Sequence, residues 1–503
     1  MATLPAIKPF FKKYNNLVIV LMSSLLLGIW AVESTIALRN ILLWVGGIAS
    51  LYYWFHFYVE LKKKKIQLHL HFLVYLALGL VAAMMVWVLV HYLFFTIDPL
   101  RQLHELKSTW VRACLAIALG SATGLCLLRN RRYLPIVWLG LLCSFFVLIY
   151  QYIPKALLNN SFFGTDYYGD YIYWAKFNGV LAGTILIAGL LGLLIDQFVS
   201  VPKRSNLGNG LNKQKLIAQN GAQTNVFAAP EGQQDYRIPA YSLLGIFVAI
   251  YSFVFIFDAK AGVGLAIILI VFWIGFSLIH LLKNANHPLH RDSISSISRK
   301  ALLFFMLILA VLTLLTYKHM KNNPGWENLF TDMAISADVE KYTNWHNPVK
   351  LGYPLRESGE SVRPNTYERV SWGVVGLQLI QEQPFGYGVF RSFAQQLRGK
   401  VDNFTSAVYT HSAWIDLGLA FGVPGLVLLP LAILLFLLNA ILTGRHPFRG
   451  TIISMCVALL VLYSVGEYAF QHGIEILLYF CGLLLALSMW TYRNSELDDL
   501  SQA

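Results

Sequence analysis

Charge is what this 503-residue sequence has least of. Asp, Glu, Lys and Arg together supply 13% of it, against 57% hydrophobic residues. A soluble chain of this length needs far more charge to cover its surface, and the mean hydropathy of +0.57 agrees. Acids are the scarcer sign, 26 against 39 Lys and Arg, which leaves a net charge of +13. In a soluble protein that excess would suggest nucleic acid. Here no aromatic–basic nucleic-acid motif is present, and the basic residues fall between apolar runs, where they set topology and meet anionic lipid. Membrane lipids are therefore expected partners and nucleic acid is not. Cysteine is sparse as well: Cys114, Cys126, Cys143, Cys456 and Cys481 all lie in apolar runs without CxxC spacing, so neither a disulfide framework nor a zinc site is supported. The apolar runs are continuous rather than alternating, which argues against a β-barrel. HExxH, Walker A and Rossmann fingerprints are missing, and acids expected outside the membrane are scattered, with Asp166 and Asp170 the nearest pair. Neither a metal nor a cofactor is expected.

What the chain has in quantity is apolar runs long enough for a hydrocarbon core of roughly 30 Å, which takes about 20 helical residues. Twelve are read: Leu17–Leu38, Ile41–Leu61, Leu68–Phe95, Trp110–Leu128, Leu134–Ile153, Tyr173–Val199, Tyr241–Phe257, Ala261–Leu282, Ala301–Tyr317, Ser412–Leu442, Thr451–Tyr468 and Ile474–Tyr492. The first is too long for a signal-peptide core and lacks a small-residue cleavage site. Arg39–Asn40 reads as a turn, Asp98, Arg101 and Glu105 as loop residues, and 200–237 as a Gly-, Asn- and Gln-rich linker. An N-terminus inside places Lys62–Lys65, Arg129–Arg132, Lys203–Lys215, Lys283–Lys300, Arg445–Arg449 and Arg493 all on the cytoplasmic side, as the positive-inside rule requires. The expected fold is an all-α polytopic membrane protein of about twelve transmembrane helices with both termini cytoplasmic. Residues 1–317 hold nine helices and 318–410 form one large outer loop between helices 9 and 10. Residues 411–503 hold three more helices and a short tail.

A loop of this length exceeds ordinary connections and is a place for function. Asn365–Glu368 resembles a capping box, and Val370, Val374, Leu377 and Ile380 recur at helical spacing. These predict an amphipathic helix over Thr366–Gln383, on or dipping into the outer membrane face. Arg369 stands in its first turn with Trp372 on the same face, where a guanidinium suits phosphate; a headgroup-snorkelling arginine is the plain alternative. Pro384-Phe385-Gly386-Tyr387-Gly388 allows a tight turn. His411, at the mouth of the next helix, suits a general base, or is an interfacial histidine without chemistry. Asp416, five residues on, is off its helical face. Glu33, Asp196, Asp416 and Glu467 lie near helix ends, where interfacial snorkelling is expected. Lys341, Lys350, Arg356, Arg363 and His346 read as solvated surface.

In order, Arg369-(x)2-Trp372, Pro384-Phe385-Gly386-x-Gly388-x-Phe390 and His411-Ser412-Ala413-Trp414-x-Asp416-Leu417-Gly418 with Gly422 and Gly425 resemble the O-antigen ligase/polymerase superfamily over Glu368–Gly425. Its members carry such residues in a large periplasmic loop among ten to fourteen helices, a GT-C-like arrangement. Where the family tends to have Ser-Arg-Gly, this chain has Ala259-Lys260-Ala261-Gly262, which keeps the charge but loses the bidentate fork. Lys176, in Trp174–Asn178, falls where relatives begin an outer-facing helix. The resemblance implies a metal-independent inverting glycosyltransferase of the bacterial inner membrane. The donor is a glycan on undecaprenyl diphosphate and the acceptor is lipid A–core oligosaccharide. His411 would be the base, with Arg369 and Lys260 on the diphosphate. Lys176, Trp372, Gly386 and Gly388 are further candidates for substrate binding. O-antigen polymerase and protein O-oligosaccharyltransferase share this chemistry. A secondary transporter or flippase is the reading from a different class, though no repeat relates the two halves.

Overall fold

The structure, a computed structural model, describes residues 7–32, 35–63, 70–158, 170–199, 237–285, 291–322, 326–391, 393–397, 407–443 and 446–489. The proposed linker, the segment holding Asp166, Glu33 and the C-terminal tail lie outside them. The described residues are nearly all helical, with one isolated β-bridge, Leu355 to Ser361. The helices are α1 (Ile7–Trp30), α2 (Ile36–Lys63), α3 (Phe72–Phe94), α4 (Pro99–Glu105), α5 (Val111–Arg129), α6 (Leu134–Leu158), α7 (Asp170–Val199), α8 (Arg237–Tyr251), α9 (Lys260–Ala285), α10 (Arg291–Asn322), α11 (Leu329–Ala337), α12 (Pro348–Leu351), α13 (Pro364–Glu382), α14 (Phe393–Gln396), α15 (Ala413–Leu442), α16 (Arg449–Val465) and α17 (Gln471–Ser488). Eight described helical spans are long and apolar enough to cross a membrane, and three shorter apolar ones accompany them. By length and composition the chain is a multi-pass membrane protein.

Two boundaries differ from the sequence reading. Helix α1 ends at Trp30 and α2 begins at Ile36, so Arg39–Asn40 lies inside a helix and is not a turn. Thr35 Oγ1 donates to the carbonyls of Ile29 and Val32 at 2.9 and 2.7 Å, and Arg39 Nη1 to that of Trp30 at 2.8 Å. Ile29 O also accepts from Val32 N at 3.0 Å, and the side chains satisfy the carbonyls that the end of the helix leaves over. Arg39 is thus buried inside α2. The expected loop after α3 is helical instead: Asp98 accepts from Arg101 N at 3.1 Å, Pro99 occupies the first turn, and a π-turn, Leu106–Trp110, leads into α5.

The centre of the bundle is a close crossing of α5 and α17. A Cβ on Gly120 would collide with the Tyr479 carbonyl, one on Gly482 with that of Ile117, and one on Gly124 would lie 2.6 Å from Ala486 Cβ. Small residues at such an interface let backbones approach, which is how helices gain contact energy in lipid. On the far side of the bundle, Asp196 of α7 caps α16. It accepts from Gly450 N, Thr451 N and Thr451 Oγ1 at 2.5, 3.0 and 2.7 Å. Asp196 is therefore a buried interhelix cap and not a snorkelling acid.

Between α10 and α15 the chain builds a second small core from Trp345, Val362, Tyr367, Trp372, Val375, Leu379 and Phe393, among others. The predicted helix is present as α13, with three differences. It starts at Pro364 after Arg363, and no side chain caps it; Glu368 instead accepts from Tyr353 Oη at 2.8 Å. Its buried stripe runs through Tyr367, Ser371, Val375 and Leu379, with Trp372, Gly376 and Ile380, while Leu377 is exposed. The buried face is therefore rotated from the expected one and packs on α11 and α15. Arg356, expected at the surface, is buried on Asp332, which accepts from its Nε at 2.6 Å and Nη2 at 3.0 Å and from Arg363 N at 3.2 Å. Asp332→Ala leaves that guanidinium only Glu360, which accepts from Nη1 at 2.9 Å, and should cost this unit about 1.5–3 kcal/mol. Limited proteolysis of purified protein should then cut within 326–391 at least tenfold faster, whereas an unchanged rate would show the pair to be dispensable.

Candidate functional site

His411 sits just before α15, with Ser412 as N-cap, and takes a positive φ of 65°. A side chain at such a φ is strained and persists only where its surroundings hold it. Three contacts do so here. Trp372 of α13 stacks on the imidazole, 5.3 Å between centroids and 7° from parallel, and its indole Nε1 donates to Trp345 O at 3.2 Å. Asp416 accepts from both Thr410 N and Thr410 Oγ1 at 2.9 Å, fixing the residue before. On the other edge Nδ1 is hydrogen-bonded to Glu467 Oε1. A carboxylate can only accept, so Nδ1 carries the hydrogen and the lone pair of a neutral ring is on Nε2. That Nε2 meets no hydrogen-bond partner among the described residues.

Glu467 was not recognised as a site residue from the sequence, where it lies at the end of an apolar run. In the fold α16 stops at Val465, and Gly466–Phe470 form a connector to α17. Gly466 O accepts from both Ala413 N and Tyr468 N at 2.9 Å, which lashes this connector to the start of α15. Arg369 Nη1 donates to Val465 O at 2.9 Å. Arg369, Trp372, His411 and Glu467 are thereby brought to one place. Tyr409 lies buried nearby, and burial holds its hydroxyl well above the usual range, so it stays a neutral phenol.

Lys176 belongs to the same neighbourhood. Phe177 packs on Tyr468 with ring centroids 4.5 Å apart, joining the start of α7 to the Glu467 connector. The charges of Lys260 and Arg369 lie close enough to Lys176 to act on it. Lys176 Nζ donates to Asp258 O at 2.6 Å. Asp258, at a positive φ of 43°, is held by its side chain as well: Trp326 Nε1 donates to His319 Nδ1 at 2.9 Å, so His319 Nε2–H is the donor to Asp258 Oδ1 at 2.8 Å. This Trp–His–Asp chain orients the turn that presents Lys260. Three cations thus gather beside a histidine–carboxylate pair, and the acids that act on the two lysines, Asp258 and Asp332, are already held by His319 and Arg356. Such an arrangement suits a ligand with more than one negative charge.

Gly386 and Gly388 have a different setting. Both have positive φ, 88° and 86°. Their turn plugs a kink in α15, where Phe421 and Gly422 leave helical geometry and Pro424 has no N–H. The carbonyls this frees at Leu419, Ala420 and Phe421 accept from Tyr387 N (2.8 Å), Gly388 N (2.6 Å) and Trp87 Nε1 (2.8 Å), while Val423 N donates to Pro384 O at 2.8 Å. These four displaced backbone groups thus find partners, as a dry interior demands.

Compared with known protein families and with curated proteins, the chain matches none. Among the described residues no group of three His, Cys, Asp or Glu side chains is placed to hold a metal ion.

Gly388→Ala adds a Cβ 2.5 Å from Gln102 Oε1 at a φ that alanine resists. It should destabilise the fold by about 1–3 kcal/mol, read as a lower melting temperature of purified protein. An unchanged melting temperature with weakened ligand binding would instead assign this glycine to the ligand.

Proposed function

We propose that this chain is a membrane-embedded glycosyltransferase that moves O-antigen glycan from undecaprenyl diphosphate to lipid A–core at the periplasmic face of the bacterial inner membrane, an O-antigen ligase with about twelve transmembrane helices. The observation that carries the reading is the His411–Glu467 pair beside the cations Lys176, Lys260 and Arg369. The acceptor hydroxyl attacks the anomeric carbon of the donor sugar and gives its proton to His411 Nε2. Glu467 stabilises the imidazolium that results. The bond from that carbon to the diphosphate oxygen breaks, its electron pair stays on the diphosphate, and the three cations stabilise the growing charge. One displacement inverts the anomeric centre. Polymerase and protein O-oligosaccharyltransferase activity use the same groups with another acceptor.

The test supplies purified protein with undecaprenyl-diphosphate-linked glycan, with or without lipid A–core, in EDTA. Glycan should reach lipid A–core only when core is added. His411→Ala and Glu467→Gln should slow transfer roughly 10²- to 10⁴-fold, and Arg369→Ala about 10²- to 10³-fold. Longer carrier-linked chains without core would mean a polymerase, and glycan on an added pilin-like protein an oligosaccharyltransferase. No transfer to any acceptor would remove the catalytic reading and favour a transporter.

A further inference from the structure

Behind the Glu467 connector lies a cavity of about 220 Å³ between α1, α2, α7 and the start of α17, with Trp30, Ile36, Arg39, Asn178, Phe470 and His472 in its wall. Arg39 is only 6% exposed. Its Nη1 is used by the Trp30 carbonyl and its Nε is sealed among protein atoms without an acceptor, so the rest of the guanidinium is what the cavity meets. Glu475, the carboxylate that acts on Arg39 among the described residues, is engaged elsewhere. Arg112 donates to Oε1 from Nε at 2.6 Å and from Nη2 at 2.5 Å, and Trp30 Nε1 donates to Oε2 at 3.3 Å. Two guanidinium groups thus share one acid, and the surplus positive charge falls on the group that faces the cavity. A buried guanidinium in that state is strongly disfavoured until an anion meets it.

The rest of the wall suits the same anion. His472 Nδ1 lies 3.4 Å from Arg112 Nη2 and 3.6 Å from Glu475 Oε2, which ties this ring of the wall to the same ion pair. Asn178 adds an amide. The remaining wall is apolar, and it includes Ile36 of α2, whose side chain is also exposed on the outside of the protein. A donor-rich end with an apolar approach from the lipid-facing side fits a phosphate ester attached to hydrocarbon. We propose that the Arg39 cavity is an anion subsite that takes a phosphate group, entering from the lipid-facing side of α2. The proposal is independent of the transfer reaction: the cavity has its own cation and its own donors, and Arg369, Lys176 and Lys260 are not in its wall.

The experiment is photolabelling of the purified full-length protein. The probe is a phosphatidylglycerol with a diazirine beside its glycerol; a diacylglycerol with the same diazirine is the control without phosphate. Labelled peptides are mapped by mass spectrometry. The phosphatidylglycerol probe should mark residues 31–43 and the diacylglycerol should not. Arg39→Gln and Asn178→Leu should each lower that labelling about tenfold, as expected for losing a hydrogen bond to a charged group. Arg39→Lys should largely retain it, and so should Arg369→Ala. Displacement of the probe by inorganic phosphate would identify a free phosphate as a competent occupant; labelling that resists inorganic phosphate would identify the lipid. Equal labelling by the two probes, or labelling that Asn178→Leu and Arg39→Gln both leave intact, would overturn the proposal.

Discussion

Helices α5 and α17 meet backbone to backbone, and much of the site's geometry follows from that contact. In hydrocarbon the apolar surface of a helix gains nothing by leaving lipid, so stability comes from close packing and from hydrogen bonds that cannot be made elsewhere. Gly120, Gly124 and Gly482 supply the closeness. Arg112 and Glu475, one near the start of each helix, supply a polar bond at the same crossing. With α17 pinned there, the connector that precedes it has little freedom, and Glu467 is delivered to His411. Tyr463, near the end of α16, adds a hydrogen bond from its hydroxyl to Gly473 O across the same connector.

The outer unit works by similar means without lipid. Its aromatic core sets α13 against α15, and the absence of a side chain at Gly376 lets Thr410 and Ile415 approach closely. Trp372 then serves two cores at once, as part of the outer one and as the flat surface under His411. This explains why the apolar face of α13 is turned inward. A membrane-bound helix would direct all of its large apolar residues to one side, whereas α13 spends Tyr367 and Trp372 on protein and leaves Leu377 outside.

How much of this could be read beforehand depended on range. Local signals were legible: continuous apolar runs became helices, and the pattern ending at Pro384 became α13 within two residues of its expected start. The neighbourhood of Arg369, Trp372 and His411 was also legible as an ordered set. Pairings across long separations were not. Glu467 is 56 residues from His411, and nothing in an apolar run marks one acid as a partner and not as an interfacial residue. Arg39 was misplaced for a related reason, since a charge between two apolar runs looks like a turn until a carbonyl is found for it. The Gly386 turn was visible as a turn, but its role required seeing Pro424, far along the chain, leave a carbonyl to be answered.

The Asp196 cap has a consequence at the opposite side of the bundle. Helix α16 has 17 residues, about 25 Å at 1.5 Å per residue. One end is held by Asp196 and the other by the Gly466 connector, so both attachments are to protein. Its axial height is therefore set independently of the bilayer. When membrane thickness changes, tilt and stretching fall to peripheral helices such as α2 and α3, whose side chains face outward along much of their length. The depth at which Glu467 meets His411 is thereby insulated from the lipid composition around it.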